Sequence, residues 1–323
     1  MTRKHAFFAL QAVGTLVLVG LLLRGFDWTA FRALFARTPA WFYLLSFGAV
    51  ALGQALYALR WWLLLRALDV RVAYARVVEQ YLIGVFFNNF LPSSVGGDWS
   101  KVYYLGSAEG YVRIGASVIV DRLIGVTLAA SLAMVLLWGP GGELTGAAAA
   151  ARGVLTLTWL GLAGVFLSVI VIPADSWMRA VGRRVPSLAG PLEAVGRIAA
   201  HAREALSHPV ALIGSVAVVV GYFVTVSLVY QVFIELATGA RPPFLAVAAA
   251  VTAIATLSNF PIAVNGLGLR EQLHFAMLAG FGLSKEGAAG LSLLFFGHLL
   301  VLSIVGGALW ARRPVAPGRT TAS

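Results

Sequence analysis

The sequence predicts an all-α polytopic membrane protein, on two observations. Hydrophobic residues make up 60% of the 323 residues and charged residues only 11%, whereas charged residues form about a quarter of a soluble domain. Six apolar runs are also long enough to cross a bilayer as helices. These runs are Ala6–Leu23, Trp41–Leu59, Ile114–Trp138, Val154–Ile172, Val210–Leu236 and Ala288–Ala311. We expect a single membrane domain over residues 1–311 and a disordered cytoplasmic tail over residues 312–323.

The six runs divide into two halves, and each half also contains a broken apolar segment. We assign residues 6–138 and 154–311 to two pseudo-repeats. The broken segments, Val77–Pro92 and Phe244–Pro261, are short for a membrane crossing and end at a proline. Proline disfavours helical geometry in the residue before it and removes a backbone donor. Each segment either spans the bilayer or enters and returns, which gives eight membrane segments if both are counted.

The distribution of Lys and Arg favours the re-entrant alternative, because cytoplasmic loops carry the excess of these residues. With both segments re-entrant and both termini inside, sixteen Lys and Arg residues lie inside and seven outside. With both segments spanning, eleven lie inside and twelve outside. Three spans per half is an odd number, so the halves have opposite orientations. Inverted repeats that meet at a central site are common in alternating-access transporters.

The net charge of +11 comes mainly from arginines clustered between the apolar runs. We interpret this charge as topological and not as a nucleic-acid surface. The absence of cysteine excludes disulfides and thiolate metal sites, and it fits a plasma membrane, in bacteria the inner membrane. In the long connection 173–208, apolar residues at helical spacing predict an amphipathic interfacial helix. These residues are Leu192, Val195, Ile198, Ala202 and Leu206.

The first broken segment runs into a motif that does not suit an ordinary membrane span. FFNNFLPSSVGGD, at 86–98, combines two asparagines, a proline and a glycine pair. Non-helical backbone at membrane depth is tolerated only where protein buries it or where it lines a water-filled cavity. We therefore predict a substrate-binding region here. Its candidate residues are Glu79, Asn88, Asn89, Pro92, Gly96, Gly97, Asp98 and Lys101.

A weaker form of the same motif follows the second broken segment, in LSNFPIAVNGLGLRE at 257–271. Interrupted segments at corresponding places in two halves are typical of transporter binding sites. The alternative is that both motifs are glycine-rich turns, but their repetition favours a site. The candidate residues in this second motif are Asn259, Pro261, Gly266, Gly268, Arg270 and Glu271.

Asp121 and Arg122 lie within the apolar run Ile114–Trp138. Charges inside a membrane span are costly and indicate function by default. We expect both side chains to face the interior of the bundle, where an arginine can bind a phosphate bidentately. The alternative is a structural ion pair that bridges to the first motif.

Metal ions and cofactors are not predicted. His274 and His298 lack partners at ligand spacing, so we expect them to pack or to form hydrogen bonds. Gly266-Leu267-Gly268 lacks the third glycine and the preceding strand of a dinucleotide-binding fingerprint, and no P-loop is present. We assign no catalytic residue.

These motifs resemble the lysylphosphatidylglycerol synthase transmembrane family, which is also described as flippase-like. The resemblance is carried by FFNNFLPSSVGGD, by Val120-Asp121-Arg122-Leu123 and by the Asn-Phe-Pro motif with Gly266-Leu267-Gly268-Leu269-Arg270-Glu271. It extends over nearly the whole chain. In bifunctional relatives this membrane part precedes a soluble aminoacyltransferase domain and moves the modified phospholipid between leaflets. This sequence has the membrane part alone, so we do not expect it to make lysylphosphatidylglycerol.

The resemblance implies lipid handling, and three functions remain open. The first is a flippase or transporter for an anionic phospholipid or a lipid-linked sugar. The second is a membrane enzyme that uses Asp98 or Asp121 as acid or base on a lipid substrate. The third is an accessory subunit of a separate lipid-modifying transferase. Broken segments in both halves and carboxylates scattered over both favour transport.

Overall fold

The computed structural model describes residues 15–90, 96–139, 147–171, 183–184, 186–260 and 266–313. All the regular elements in these ranges are helices, which confirms the predicted all-α class. The first, α1, comprises the helical residues 15–23. The others are α2 (Trp28–Arg37), α3 (Ala40–Ala67), α4 (Tyr74–Phe90), α5 (Gly96–Glu109), α6 (Tyr111–Trp138), α7 (Ala147–Val171), α8 (Pro186–Leu206), α9 (Pro209–Thr238), α10 (Phe244–Leu257), α11 (Leu269–Leu278), a 3-10 turn (Ala279–Phe281) and α12 (Lys285–Ala311).

Five of the described helices are long and apolar enough to cross a membrane: α3, α6, α7, α9 and α12. Each corresponds to one of the predicted runs, so these five predictions are confirmed. The predicted run Ala6–Leu23 is described only from residue 15, where it is helical. Helix α3 continues to Ala67, eight residues beyond the predicted end at Leu59, because Trp61, Leu64 and Leu65 pack into the core.

The first broken segment forms a helical hairpin with the residues that follow it. Helices α4 and α5 pack against each other in antiparallel directions, with Gly84 against Gly97 and Lys101. A Cβ atom at Gly97 would collide with the carbonyl oxygen of Gly84, so the two backbones touch. Gly110, at φ 93°, then reverses the chain between α5 and α6. Only glycine adopts this conformation without strain.

The second broken segment forms α10, and a loop then leads to α11. These two helices also pack against each other. Helix α10 is buried over nearly its whole length, from Val247 to Leu257. Pro92 and Pro261, at which the two segments were predicted to end, lie outside the described residues.

Helices α3 and α9 form an antiparallel pair. Phe42 near the start of α3 contacts Phe233 near the end of α9, with ring centroids 5.5 Å apart. Gly214 near the start of α9 lies against Leu63 near the end of α3. Small residues at such positions allow membrane helices to approach closely.

In the remaining contacts, helices of one predicted half pack against helices of the other. Helix α4 packs against α12, and α10 packs against α6. The short helix α2 packs against α12, while α8 packs against α6. The predicted amphipathic helix is α8: Ala202 and Leu206 are buried in the core, whereas Val195, expected on the same face, is 48% exposed.

Candidate functional site

A buried ion pair connects α3 to α6 beside the first hairpin. Arg60 Nε lies 2.7 Å from Asp121 Oδ1, and both side chains are nearly inaccessible. The Tyr81 hydroxyl donates to Asp121 Oδ2 at 2.7 Å. Both carboxylate oxygens therefore have a partner, which is the condition under which a buried charge is tolerated.

Small and aromatic residues make room for this pair. Gly125, one turn after Asp121, lies against the guanidinium of Arg60, and a Cβ atom there would come within 2.5 Å of Nη1. The Arg60 guanidinium also lies 5.3 Å from the ring centroid of Tyr57. The fixed geometry around Arg60 holds Asp121 in one orientation.

Lys101 occupies the space between this ion pair and the first motif. Its Nζ lies 3.6 Å from the ring centroid of Tyr81 and 5.2 Å from that of Trp61. The Asp98 carboxylate lies 3.7 Å away and also forms an ion pair with Arg122. One carboxylate is thus shared by two cations.

The expectation that Asp121 and Arg122 would both face the interior was correct only for Asp121. Asp121 is buried, but its ionic partner is Arg60, and the Arg122 side chain is 49% exposed. Adjacent residues of a helix point about 100° apart, so both cannot occupy the same face. Arg122 does connect to the first motif, through Asp98.

The two adjacent asparagines of the first motif have different partners. Asn88 Oδ1 accepts a hydrogen bond from the backbone amide of Gly97 at 2.8 Å, which ties the two helices of the hairpin together. Asn89 Nδ2 donates to Ser303 Oγ of α12 at 3.1 Å. Gly96, next to Gly97 at the start of α5, is buried.

Glu79 lies near the start of α4, at the opposite end from the two asparagines. Its described contacts are not with Asp98. Its Oε1 accepts from Arg313 Nε at 3.1 Å and from Nη2 at 2.7 Å. The Arg313 side chain is only 17% exposed. Arg313, the second residue of the segment expected to be disordered, therefore packs on the bundle, and residues 314–323 lie outside the described residues.

In the second motif, Glu271 closes the turn at the start of α11. Its Oε2 accepts from the Gly268 amide at 2.6 Å, and its Oε1 accepts from Ser292 Oγ of α12 at 2.8 Å. Gly268 has φ 82°, a conformation that favours glycine. A carboxylate at a helix N-terminus is stabilised by the helix dipole.

Arg270 is the polar group of the second motif with unused donors. Its guanidinium lies 4.9 Å from the ring centroid of Phe296. Its Nε and Nη2 are buried and make no hydrogen bond, and Nε is 3.6 Å from Glu271 Oε1. A buried donor without an acceptor is rare in proteins and fits a ligand oxygen. The remaining described residues of this motif are not brought to Arg270: Asn259 Nδ2 donates to the Ala255 carbonyl, and Gly266 forms a turn at φ 72°.

Both histidines make the hydrogen bonds expected of them. His298 Nε2 lies 2.8 Å from Ser46 Oγ of α3. His274 Nε2 lies 2.7 Å from the Tyr230 hydroxyl, and its Nδ1 is 2.7 Å from the Arg270 carbonyl oxygen. Across the described residues, no group of three or more His, Cys, Asp or Glu could hold a metal ion.

Sequence reasoning missed the partners of its own candidates. Arg60 lies directly after the predicted run Trp41–Leu59 and was not among the candidate residues. Ser292 and Ser303 were not singled out because a serine in a helix normally bonds to the backbone of the preceding turn. The one available signal for Arg60 was its position directly after a long apolar run and before two tryptophans.

Membrane-spanning helices, two broken apolar segments and a buried ionic cluster together define a multi-pass integral membrane protein. Its family follows from comparison with known proteins. The chain belongs to the family of lysylphosphatidylglycerol synthase transmembrane regions, whose family model matches residues 8–307. The resemblance inferred from the motifs is therefore confirmed.

Two relatives are described only as UPF0104 membrane proteins. One, from Methanothermobacter thermautotrophicus, is 26% identical over 313 residues, covering 88% of this chain and 86% of the relative. The other, from Pyrococcus horikoshii, is 32% identical over 116 residues, covering 35% of this chain and 34% of the relative. No solved structure matches the chain significantly.

Proposed function

We propose that this protein is a lipid flippase or transporter that moves an anionic phospholipid or a phosphate-linked glycolipid between membrane leaflets. The observation that carries this proposal is the charge of the cluster around Asp98. Three cations, Arg60, Lys101 and Arg122, surround two carboxylates, Asp98 and Asp121. Among the described residues this cluster has one excess positive charge, which an anionic headgroup would neutralise.

The depth of the cluster supports a role for a ligand. Asp121 lies ten residues into α6, about 15 Å along the helix axis. A net charge at that depth is expensive in a bilayer and is retained mainly where it serves transport or binding. Lys101 is 7% exposed, so little water is available to solvate it.

Arg270 supplies a second set of donors in the other half of the chain. Its two unused nitrogens match the bidentate geometry with which arginine binds phosphate oxygens. Helix α12 contacts both motifs, at Ser303 through Asn89 and at Ser292 through Glu271. Helix α12 therefore lies beside both motifs. An anionic headgroup would pass from the cations around Asp98 to Arg270 along this helix.

The proposal includes an inverted repeat. Its support is the antiparallel pairing of α3 and α9, which occupy corresponding places in the two halves. The contacts of α4 with α12 and of α10 with α6 also support an inverted repeat, because in each the broken segment of one half packs on the last span of the other half. In this arrangement the two hairpins are re-entrant from opposite faces, both termini are cytoplasmic and the protein resides in the plasma membrane, in bacteria the inner membrane.

An enzymatic function is less well supported. Asp121 is engaged by Arg60 and Tyr81, and Asp98 is engaged by two cations. A general acid or base needs a carboxylate that is available to substrate. An accessory role beside a separate lipid-modifying transferase is compatible with transport, since such an enzyme would produce the lipid that is moved.

The test is leaflet exchange in vesicles that contain the purified protein. Fluorescent phosphatidylglycerol, phosphatidylcholine and a lipid-linked sugar phosphate would be compared by chemical quenching of the outer leaflet. We expect exchange of the anionic lipids to exceed that of phosphatidylcholine. Arg270→Ala and Lys101→Met should each slow it about tenfold or more, because a charge-assisted hydrogen bond is worth about 1.5–3 kcal/mol.

Arg241→Ala is the matched control, since the Arg241 side chain is 71% exposed and pairs only with Glu235 among the described residues. This variant should exchange lipid at the wild-type rate. If the wild type leaves exchange at the rate of protein-free vesicles for every lipid while chemically modifying one of them, the enzymatic function replaces transport.

A further inference from the structure

A cavity outside both motifs lies between the end of α3 and the start of α9. Its volume is about 350 Å³, and Trp62, Arg66, His208 and Val210 line it. A second cavity of about 520 Å³ adjoins it through Arg66 and is lined also by Arg71 and Asp69. None of the candidate residues of the two motifs lines either cavity.

Arg66 is held in position at the boundary of the two cavities. Its guanidinium lies 5.0 Å from the ring centroid of Trp62. That ring is itself fixed, because Trp62 Nε1 donates to the Val72 carbonyl at 2.9 Å and the ring packs edge-on against Tyr74. A guanidinium stacked on an immobile aromatic ring presents its donors at the rim. Among the described residues that line the first cavity, none is a carboxylate.

The start of α9 adds positive potential to the same cavity. The helix begins at Pro209, and its N-cap residue His208 makes no side-chain capping bond. The N-terminus of a 30-residue helix carries a partial positive charge that favours anions. The cavity therefore combines an arginine, the start of a long helix and a histidine, and Asp69 lines only the adjoining cavity.

The surroundings identify the source of the anion as a lipid. Arg66 lies in the last turn of a span, the level at which Trp and Arg meet the headgroups. Val210 and Ile213, on the first turns of α9 beside the cavity, are 73% and 70% exposed. Apolar side chains exposed on a membrane-spanning helix provide a path for acyl chains.

We propose that this cavity binds the phosphate of an anionic membrane lipid, with the acyl chains along Val210 and Ile213. The lipid is resident and is separate from the transport route through the two motifs. Its phosphate contacts Arg66. The dipole of α9 adds attraction without hydrogen bonds from Pro209, which has no N–H, or from Ala211, whose amide donates to the His208 carbonyl. An anionic headgroup is preferred over a choline headgroup, because the described lining of the cavity has cations and includes no carboxylate to receive the choline.

The test uses the absence of native cysteine. Val210→Cys, labelled with a fluorophore, places a probe at the cavity in the full-length protein. Brominated phosphatidylglycerol should quench this probe more efficiently than brominated phosphatidylcholine in the same vesicles. Adding Arg66→Gln should lower the preference roughly two- to five-fold, in line with a single partly exposed ionic contact.

Arg71→Gln is the matched control, because Arg71 lines only the second cavity. This variant should leave the preference for phosphatidylglycerol unchanged. An equal loss of that preference in both variants would show that it comes from general surface charge, and it would overturn the proposed site. Excess inorganic phosphate should not reverse the quenching. Reversal would assign the cavity to a soluble anion, and an unchanged preference in Arg66→Gln would exclude a lipid phosphate at Arg66. Leaflet exchange by the Arg66→Gln variant is expected at the wild-type rate, so this result is independent of the proposed transport.

Discussion

Arg60 and Asp121 are 61 residues apart in the sequence and form an ion pair with an Nε to Oδ1 distance of 2.7 Å inside the bundle. Burying two charges is favourable only when their geometry and their remaining hydrogen bonds compensate for lost solvation. Tyr81 completes the carboxylate side of the pair. The pair fixes α3 to α6 and forms one wall of the site that contains Lys101.

Removing one member of this pair should destabilise the protein strongly. We expect Arg60→Met or Asp121→Asn to cost about 3–5 kcal/mol, because the partner becomes an uncompensated buried charge. The double variant Arg60→Met with Asp121→Leu should recover most of the loss. The loss in the single variants and the recovery in the double variant are both measured by heating the protein in detergent and quantifying the folded protein by size-exclusion chromatography. Equal destabilisation in the double and single variants would show that the pair itself is not the source of the loss.

The contact between Gly84 and Gly97 should tolerate no added methyl group. Gly97→Ala would push α5 away from the Gly84 carbonyl, at a cost of about 1–3 kcal/mol for overpacking. Gly115→Ala is the control, since a Cβ atom at this position of α6 meets nothing within 4 Å. Melting temperatures should fall for the first variant only. A similar fall in both would indicate a general helix effect.

The ion pair between Glu79 and Arg313 should contribute little to stability. The Glu79 side chain is 34% exposed, and we expect Glu79→Gln to change the unfolding free energy by no more than about 1 kcal/mol. If Glu79 only holds Arg313, the exchanged pair Glu79→Arg with Arg313→Glu should transport lipid at the wild-type rate. Loss of transport with intact stability in both variants would instead assign Glu79 to the substrate.

Topology can be tested by labelling single cysteines with an impermeant thiol reagent in intact cells. Ser107 and Ser187 are exposed and are predicted to be cytoplasmic, so cysteines there should be protected. Ala279, exposed at the end of α11, should react. Ser284 is unsuitable, because its hydroxyl caps α12 through the amide of Gly287. Labelling of Ser187→Cys from outside would contradict the re-entrant arrangement.

The sequence was sufficient for the features that depend on composition. Spans such as α6 and α9 follow from apolar length alone, and the burial of Asp121 follows from the cost of exposing a charge to lipid. Its partner could not be predicted, because Arg60 comes from another span and the pairing depends on how α3 packs. The outward direction of Arg122 could have been predicted from helical geometry. The expectation that both side chains face the interior assumed instead that adjacent charges act together.

The second motif likewise has one feature that follows from nearby sequence and others that depend on the packing of the fold. One hydrogen bond of Glu271 is local, from the Gly268 amide three residues earlier, whereas the other, from Ser292, depends on how α12 packs. The unused donors of Arg270 depend on Phe296 in α12 and on burial by the fold. Such an environment is not encoded at any fixed spacing in the chain.

Gly306 and Gly307 place α12 directly on the backbone of α4 and on the ring of Phe86. At Gly306 the backbones of the two helices are in direct contact, and the hydrogen bond between Asn89 and Ser303 ties them together, so we expect them to move as one rigid body. That body joins a hairpin from the first half to the last span of the second. Any rocking motion that exposes the interior to one side of the membrane would therefore separate groups of helices that are discontinuous in the sequence, and its hinges would lie in the connections that cross between them.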